Sequence, residues 1–314
     1  MQSARVGSPR GHRARIAIFA VAIVGALLPP LAQAAGQTGT LERVRQTGKL
    51  TLGYRADAGP FSYKDDSGKA AGYSIALCEK IVEQVKAELG LSALAVEWIP
   101  VTLDDRFRGI QQGKVDLLCG AASVSLSRMK EVSFSIPIFP GGIGAILRAD
   151  ASPALRDVLS RKPPSGPFWR AHPARILEGK TFSVVAGTTS ERWLAGRLDT
   201  FQLTAKVVPV DGYDSGVRRV LDRGSDVFFG ERAILLDIVR RDPSARALAV
   251  LDRQFTYERI ALAFARGDED FRLVVDRTLS RLFESKEFGD LYAKWFGKPD
   301  QDARTFFRWT ALPE

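Results

Sequence analysis

Three arginines stand beside small or turn-forming residues in a way that could grip a carboxylate. Arg55 ends "KLTLGYR", Arg106 opens "RFRGIQQG", and Arg128 closes "CGAASVSLSR". A guanidinium offers a planar fork of donors that matches a carboxylate two bonds at a time. The small residues Gly120, Ala121 and Ala122 follow an apolar run and expose backbone N–H groups, and Ser123 adds a hydroxyl; together they suit an anion. A second stretch, "AGTTSE", places Gly187 before Thr188, Thr189 and Ser190. Those hydroxyls suit a helix cap, and the same helix end attracts anions. Each feature also has a plainer reading. Hydroxyls cap helices, arginines on short helices are solvated, and Phe61 or Tyr63 near Arg55 would either stack on a ligand or belong to the core. Two arginines reaching one cleft would select a doubly anionic ligand. Only two histidines occur, His12 and His172, so neither a metal site nor a histidine-based triad has material, and no cofactor is implied.

These residues need elements to carry them. "KLTLGY" (49–54), "ALAVEWI" (93–99) and "VDLLCG" (115–120) read as strands. Between them, 72–90 has apolar residues at helical spacing (Ile75, Leu77, Ile81, Val82, Val85, Leu89) and Gly90 as a stop, and 103–113 is a short helix. The order then recurs: strand 180–187, helix 188–198, strand 205–210, helix 213–224, strand 225–230, helix 231–242. Such alternation predicts α/β lobes with mostly parallel sheets. Strand-like crossings near 144–148 and 259–265 predict a two-stranded hinge, and 268–285 and 286–297 are amphipathic helices. The expected fold is therefore two-lobed, with 35–145 and 260–314 in lobe 1 and 146–259 in lobe 2. Residues 162–173 hold four prolines and form neither helix nor strand. Ligands bind outside strand C-termini in open α/β sheets, so the loops carrying Arg55, Ser123, Thr188 and Glu231 should meet in one cleft.

The N-terminus reads as a cleaved signal peptide over 1–34. Four arginines precede the 13-residue apolar run Ile16–Leu28, and Ala32-Gln33-Ala34 fits a processing site. The run is short for a span, which takes about 20 residues. Export implies a periplasmic location. Its removal lowers the formal net charge of +9 by four, to +5. With no dense basic block, nucleic-acid binding is excluded as a reading. Two cysteines, Cys78 and Cys119, suggest one disulfide in an exported chain, the alternative being two buried thiols.

Several stretches in order, "LERVRQTGKLTLGYRADAGPFSY", "AAGYSIALCEKIVEQVK", "VDLLCGAASVSLSRMKEVSFSIPIF", "VVAGTTSE", "SDVFFGE" and "LYAKWFG", resemble the family-3 solute-binding proteins of bacterial ABC transporters, nearest the glutamate/aspartate branch. The likeness spans about 41–297. It implies a periplasmic receptor, not an enzyme, of type II two-lobe fold that hands an amino acid to an inner-membrane ABC permease, with a monomer expected. It implies that Arg128 and Ser123 hold the α-carboxylate from one lobe and Thr188–Thr189 from the other. Glu231 would take the ammonium, and Arg55 and Arg106 would serve a side-chain carboxylate. Paired cysteines also occur in that branch. Four departures stand out. Ala121 and Ala122 replace hydroxyls, Glu231 replaces an aspartate, Tyr213 or Asp214 stands near the branch's histidine, and the 162–173 insert is extra. Two other roles fit the same scaffold: a cyclohexadienyl dehydratase-like enzyme using Glu231 as a general acid, and a receptor that presents ligand to a membrane sensor.

Overall fold

The structure, a computed structural model, describes residues 39–161 and 173–314. The predicted signal peptide and nearly all of the Pro-rich stretch lie outside the described residues. Helix α1 (Thr40–Thr47) ends at Gly48, whose φ of 64° needs a residue without a side chain. Strand β1 (Lys49–Tyr54) follows, then the short strands β2 (Asp57–Ala58), β3 (Ser62–Lys64) and β4 (Ala70–Ala71). Helix α2 (Tyr73–Glu88), β5 (Ala95–Pro100), α3 (Arg106–Gln111) and β6 (Leu117–Ser123) complete the first half. Strands β7 (Ser133–Phe134), β8 (Phe139–Gly141) and β9 (Ile143–Arg148) and helix α4 (Pro153–Ser160) lead to the second. There β10 (Thr181–Val185), α5 (Thr189–Thr200), β11 (Lys206–Val210), α6 (Tyr213–Leu221), β12 (Val227–Glu231) and α7 (Arg232–Arg241) alternate. After β13 (Leu248–Val250) the chain returns through β14 (Glu258–Phe264) to α8 (Glu269–Glu284), α9 (Glu287–Phe296) and α10 (Gln301–Thr310).

Two mixed sheets result. The first runs β5-β1-β6-β14-β7, with β8 also on β14; the second runs β11-β10-β12-β9-β13. In each, a central strand has two parallel neighbours and the third strand meets an antiparallel return. β1 and β12 are buried along almost their whole length, which is why they read as continuous apolar runs and not as alternations. The chain crosses between sheets at Gly141–Gly142 and again over 251–257. Both crossings fall a few residues away from the strands that 144–148 and 259–265 turn out to be. Glu258 pairs with Gly141 in the first sheet, and the Phe255 amide donates to the Ile143 carbonyl at 2.7 Å beside the second. These contacts form a two-stranded hinge.

The small residues after the apolar run continue the strand. Gly120–Ala121–Ala122–Ser123 belongs to β6, because Ala122 and Ser123 pair with Ala261 and Ile260 of β14. The ladder slips on the way: between the Leu118–Ala263 and Ala122–Ala261 pairs, Cys119, Gly120 and Ala121 face only Leu262. Leu262 bonds Ser135 on its other side, through both its amide and its carbonyl. The irregularity leaves Gly120 and Ala121 without paired residues of their own in β14. Cys119 is bonded to Cys78 of α2, which fixes this strand to the helix behind it. Phe61 is fully buried among Tyr73, Phe139 and Phe296. In the C-terminal tail, Phe307 of α10 packs on Phe283, Phe288 and Tyr292, while Trp309 is 84% exposed.

Candidate functional site

The strand ends of both sheets line one cleft of about 640 Å³, open solvent at its mouth included. The first sheet supplies three arginines, each less than a tenth exposed. Arg55 follows β1 directly. Its Nε and Nη2 donate to the two oxygens of Asp57 at 2.7 and 2.6 Å, so this guanidinium is already occupied by a carboxylate of its own lobe. Arg106 opens α3 and lies 4.4 Å over the Phe107 ring. Arg128 begins a single 3-10 turn and donates from Nη1 to the backbone carbonyl of Ser123 at 2.8 Å, not to its hydroxyl. Among the described residues, no carboxylate pairs with Arg106 or Arg128. Burial, then Arg128 and Arg55, push the Arg106 guanidinium down to about 9. Burial, then Arg192, lower Arg128 as well. Guanidinium groups stay protonated in proteins, so these directions register mainly the cost of holding two cations out of water, partly offset by Glu131 at both and by Glu258 at Arg128.

The second sheet answers with a helix end and acids. Thr188 is the N-cap of α5: its hydroxyl accepts from the Glu191 amide at 3.3 Å and donates to the Val185 carbonyl at 2.6 Å. Glu191 reaches back to the Gly187 amide at 2.9 Å, a reciprocal capping arrangement. This leaves the amides of Thr189 and Ser190 without an acceptor among the described residues, at the positive end of a 12-residue helix. Tyr213 lies beneath the cleft, its hydroxyl accepting from the Glu231 amide at 3.0 Å. Burial pushes the Tyr213 phenol well above its ordinary range. Glu231 is nearly buried, and its carboxyl oxygens accept from the Gly142 amide at 2.9 and 3.2 Å and the Ala233 amide at 3.4 Å. Burial raises Glu231 to about 8, against the pull of those amides and with a push from Glu258.

Of the sequence-predicted residues, Arg55, Arg106, Ala121, Ser123, Arg128, Thr188, Thr189, Ser190, Tyr213 and Glu231 line this one cleft. Phe61 does not: its ring is committed to the aromatic core, and Ala58 takes the place near Arg55. Sequence reasoning missed Leu103, Ile143 and Ile234, which form the apolar lining, and Glu258. Glu258 escaped because it lies one residue before the returning strand read at 259–265; its place opposite Gly141 could be found only from the hinge pairing. Among the described residues, no group of three or more His, Cys, Asp or Glu could hold a metal ion.

A model of the bacterial extracellular solute-binding proteins, family 3, matches residues 50–298, and the chain belongs to that family. It is 30% identical to the L-glutamate/L-aspartate-binding protein of Pseudomonas aeruginosa over 90% of this chain and 88% of that one. It is 25% identical to the glutamate/aspartate import solute-binding protein of Escherichia coli at the same coverages. The L-cystine-binding protein of Escherichia coli is 23% identical, over 91% of this chain and 96% of its own. The two-lobe architecture recurs in a mutant of ArgBP from T. maritima, at 21% identity and a TM-score of 0.66, covering 82% of this chain and 99% of that one. An ancestral amino acid-binding protein, a precursor of cyclohexadienyl dehydratase, gives 23% identity and a TM-score of 0.66, covering 82% and 100%.

Proposed function

We propose that this chain is the periplasmic receptor of an amino acid ABC importer. Its ligand is an acidic amino acid, glutamate or aspartate, or a related dicarboxylate. One observation carries the reading: Arg106 and Arg128 are buried in one cleft wall with no carboxylate partner among the described residues. Buried unpaired cations are costly unless a ligand supplies the counter-charge, and two of them suit two carboxylates. Arg128, Ser123 and the Thr189–Ser190 amides take the α-carboxylate; Arg106, backed by Arg55, takes the second. We assign 1–34 to a signal peptide, 35–145 and 260–314 to lobe 1, and 146–259 to lobe 2. A ligand held by both lobes binds the closed form better than the open one, and this difference drives closure. The closed form then docks on an inner-membrane permease.

A thermal-shift screen of the mature protein against amino acids and dicarboxylates, with cystine and arginine included, tests this. A ligand at 100 times its dissociation constant adds about 2.7 kcal/mol of stability. Glutamate or aspartate should raise the melting temperature of the wild type and not of Arg128→Ala; a response to cystine or arginine alone would sink the acidic-ligand reading. An enzymatic alternative rests on Glu231, a buried acid at about 8 facing the cleft. Its oxygens already accept backbone amides, and turnover of prephenate or arogenate would separate this reading from a receptor.

A further inference from the structure

The resemblance to the glutamate/aspartate branch places the ligand ammonium on Glu231. We infer instead that Glu258 is the acceptor of the ligand's ammonium, and that it accepts while tied to Thr189 across the cleft. This rests on the amino-acid reading above and deepens it.

Glu231 is a hinge-and-cap residue. Its carboxyl receives the amide of Gly142, where the chain crosses between sheets, and that of Ala233 in the first turn of α7. Any shift toward a ligand would break contacts that hold the crossing. Burial also favours its neutral form, which is a poor partner for a cation.

Glu258 differs in its contacts. It is the first residue of β14, it lines the cleft, and both of its bonds come from hydroxyls. The Thr189 hydroxyl donates to Oε2 at 2.8 Å, and the Thr256 hydroxyl donates to Oε1 at 3.1 Å. Thr256 is oriented for this because its oxygen accepts the Ile143 amide at 3.0 Å. An ionised carboxylate has about four lone-pair directions, so two bonds leave acceptors for an ammonium. Glu258 also acts on Arg128 through space. A zwitterionic head group needs this arrangement, an anion beside a cation, for its adjacent ammonium and carboxylate. Thr189 opens α5 beside the second sheet, while Glu258 begins β14 of the first sheet, at the hinge. An ammonium on Glu258 therefore sits where the two lobes meet.

The test uses ligand pairs that differ only in the amino group: glutamate against glutarate, and aspartate against succinate. Affinities are measured by calorimetry for the mature wild type, Glu258→Gln and Glu231→Gln, with ligand-free melting as the folding check. The wild type should favour the amino member roughly 30-fold or more, as expected when a polar site loses its partner. Glu258→Gln should erase that preference by weakening the amino acid while leaving the deamino acid equal or tighter. Glu231→Gln should keep it. Should Glu258→Gln fail to fold, Glu258→Asp, which keeps the charge but shortens the arm away from the cleft, should shrink the preference by weakening the amino member. The inference is overturned if Glu231→Gln alone erases the preference, or if Glu258→Gln weakens both members equally, which would make Glu258 a tie to Thr189 only. A wild type that binds both members alike overturns it while leaving the dicarboxylate reading intact. A wild type that binds neither overturns both.

Discussion

The two halves of this molecule share a frame and differ at their cleft ends. Each has a central strand between two parallel neighbours, and each pins that strand with an aspartate just before its third strand. Asp116 accepts the Thr51 amide at 2.8 Å and returns its own amide to the Thr51 carbonyl; Asp226 does the same with Thr181. Yet the first half ends in buried cations, and the second in a helix N-terminus and acids. β12 keeps an even register against β9 through Glu231, whereas β6 slips against β14 around Gly120. The repeated frame is thus indifferent to chemistry. What differs between the halves is a few residues beyond each strand, plus one register shift in β6.

The largest expected effect concerns a device present in the first half only. Removing the Cys78–Cys119 bridge, which spans 41 residues, should lower unfolding stability by about 3–4 kcal/mol in urea. A loss under about 1 kcal/mol would show that packing alone fixes β6 to α2. Next come the cations. Arg106→Met should weaken dicarboxylate binding by about 30- to 100-fold, yet leave the ligand-free protein equally or more stable, because a buried unpaired charge is replaced by a hydrophobe of similar length. A fall in ligand-free melting temperature would mean that Arg106 is satisfied within the protein and is not waiting for an anion.

Much of this frame could be read from the chain itself. Long periodic segments such as 72–90 and the apolar runs 49–54 and 180–187 announced their elements, because burial of one stripe or of both faces leaves a strong pattern. Short pieces did not: β7, β8 and β13 have two or three residues each, and α4 is eight residues beside a proline stretch. The cleft residues were readable where glycine, hydroxyl and arginine cluster after a strand. Phe61 misled because an aromatic near a cleft loop and an aromatic in a core look alike in sequence. Asp57 and Glu258 were invisible for another reason. Their roles, neutralising Arg55 and meeting Thr189, depend on contacts between segments that are distant in the chain or on the turn of a short strand.

The pinning aspartates sharpen the comparison at a smaller scale. Asp116 is buried and also pairs with Arg43, while the Asp226 side chain is about a third exposed and pairs with Lys180. Asp116→Ala should therefore cost about 2–3 kcal/mol, and Asp226→Ala about 1 kcal/mol. Equal losses, read from urea midpoints, would mean that the strand tie outweighs burial.

The smallest effect is a pH slope that the second half alone should contribute near neutrality. Burial, opposed by the Gly142 and Ala233 amides and reinforced by Glu258, holds Glu231 at about 8 against an ordinary 4.5. Between those values the folded state binds more protons than the unfolded one, so ligand-free stability should fall as pH rises from about 5 toward 8. The slope is bounded at about 1.4 kcal/mol per pH unit, and the amide bonds and coupling to Glu258 make the net change smaller. Asp276, raised to about 6 by burial, acts mainly below this window, so pH 6.5–8 isolates Glu231. Melting curves of wild type and Glu231→Gln across that window should diverge, the variant staying flat. Parallel curves would place the ionised carboxylate in the resting cleft and would return Glu231 to contention as the partner of a ligand cation.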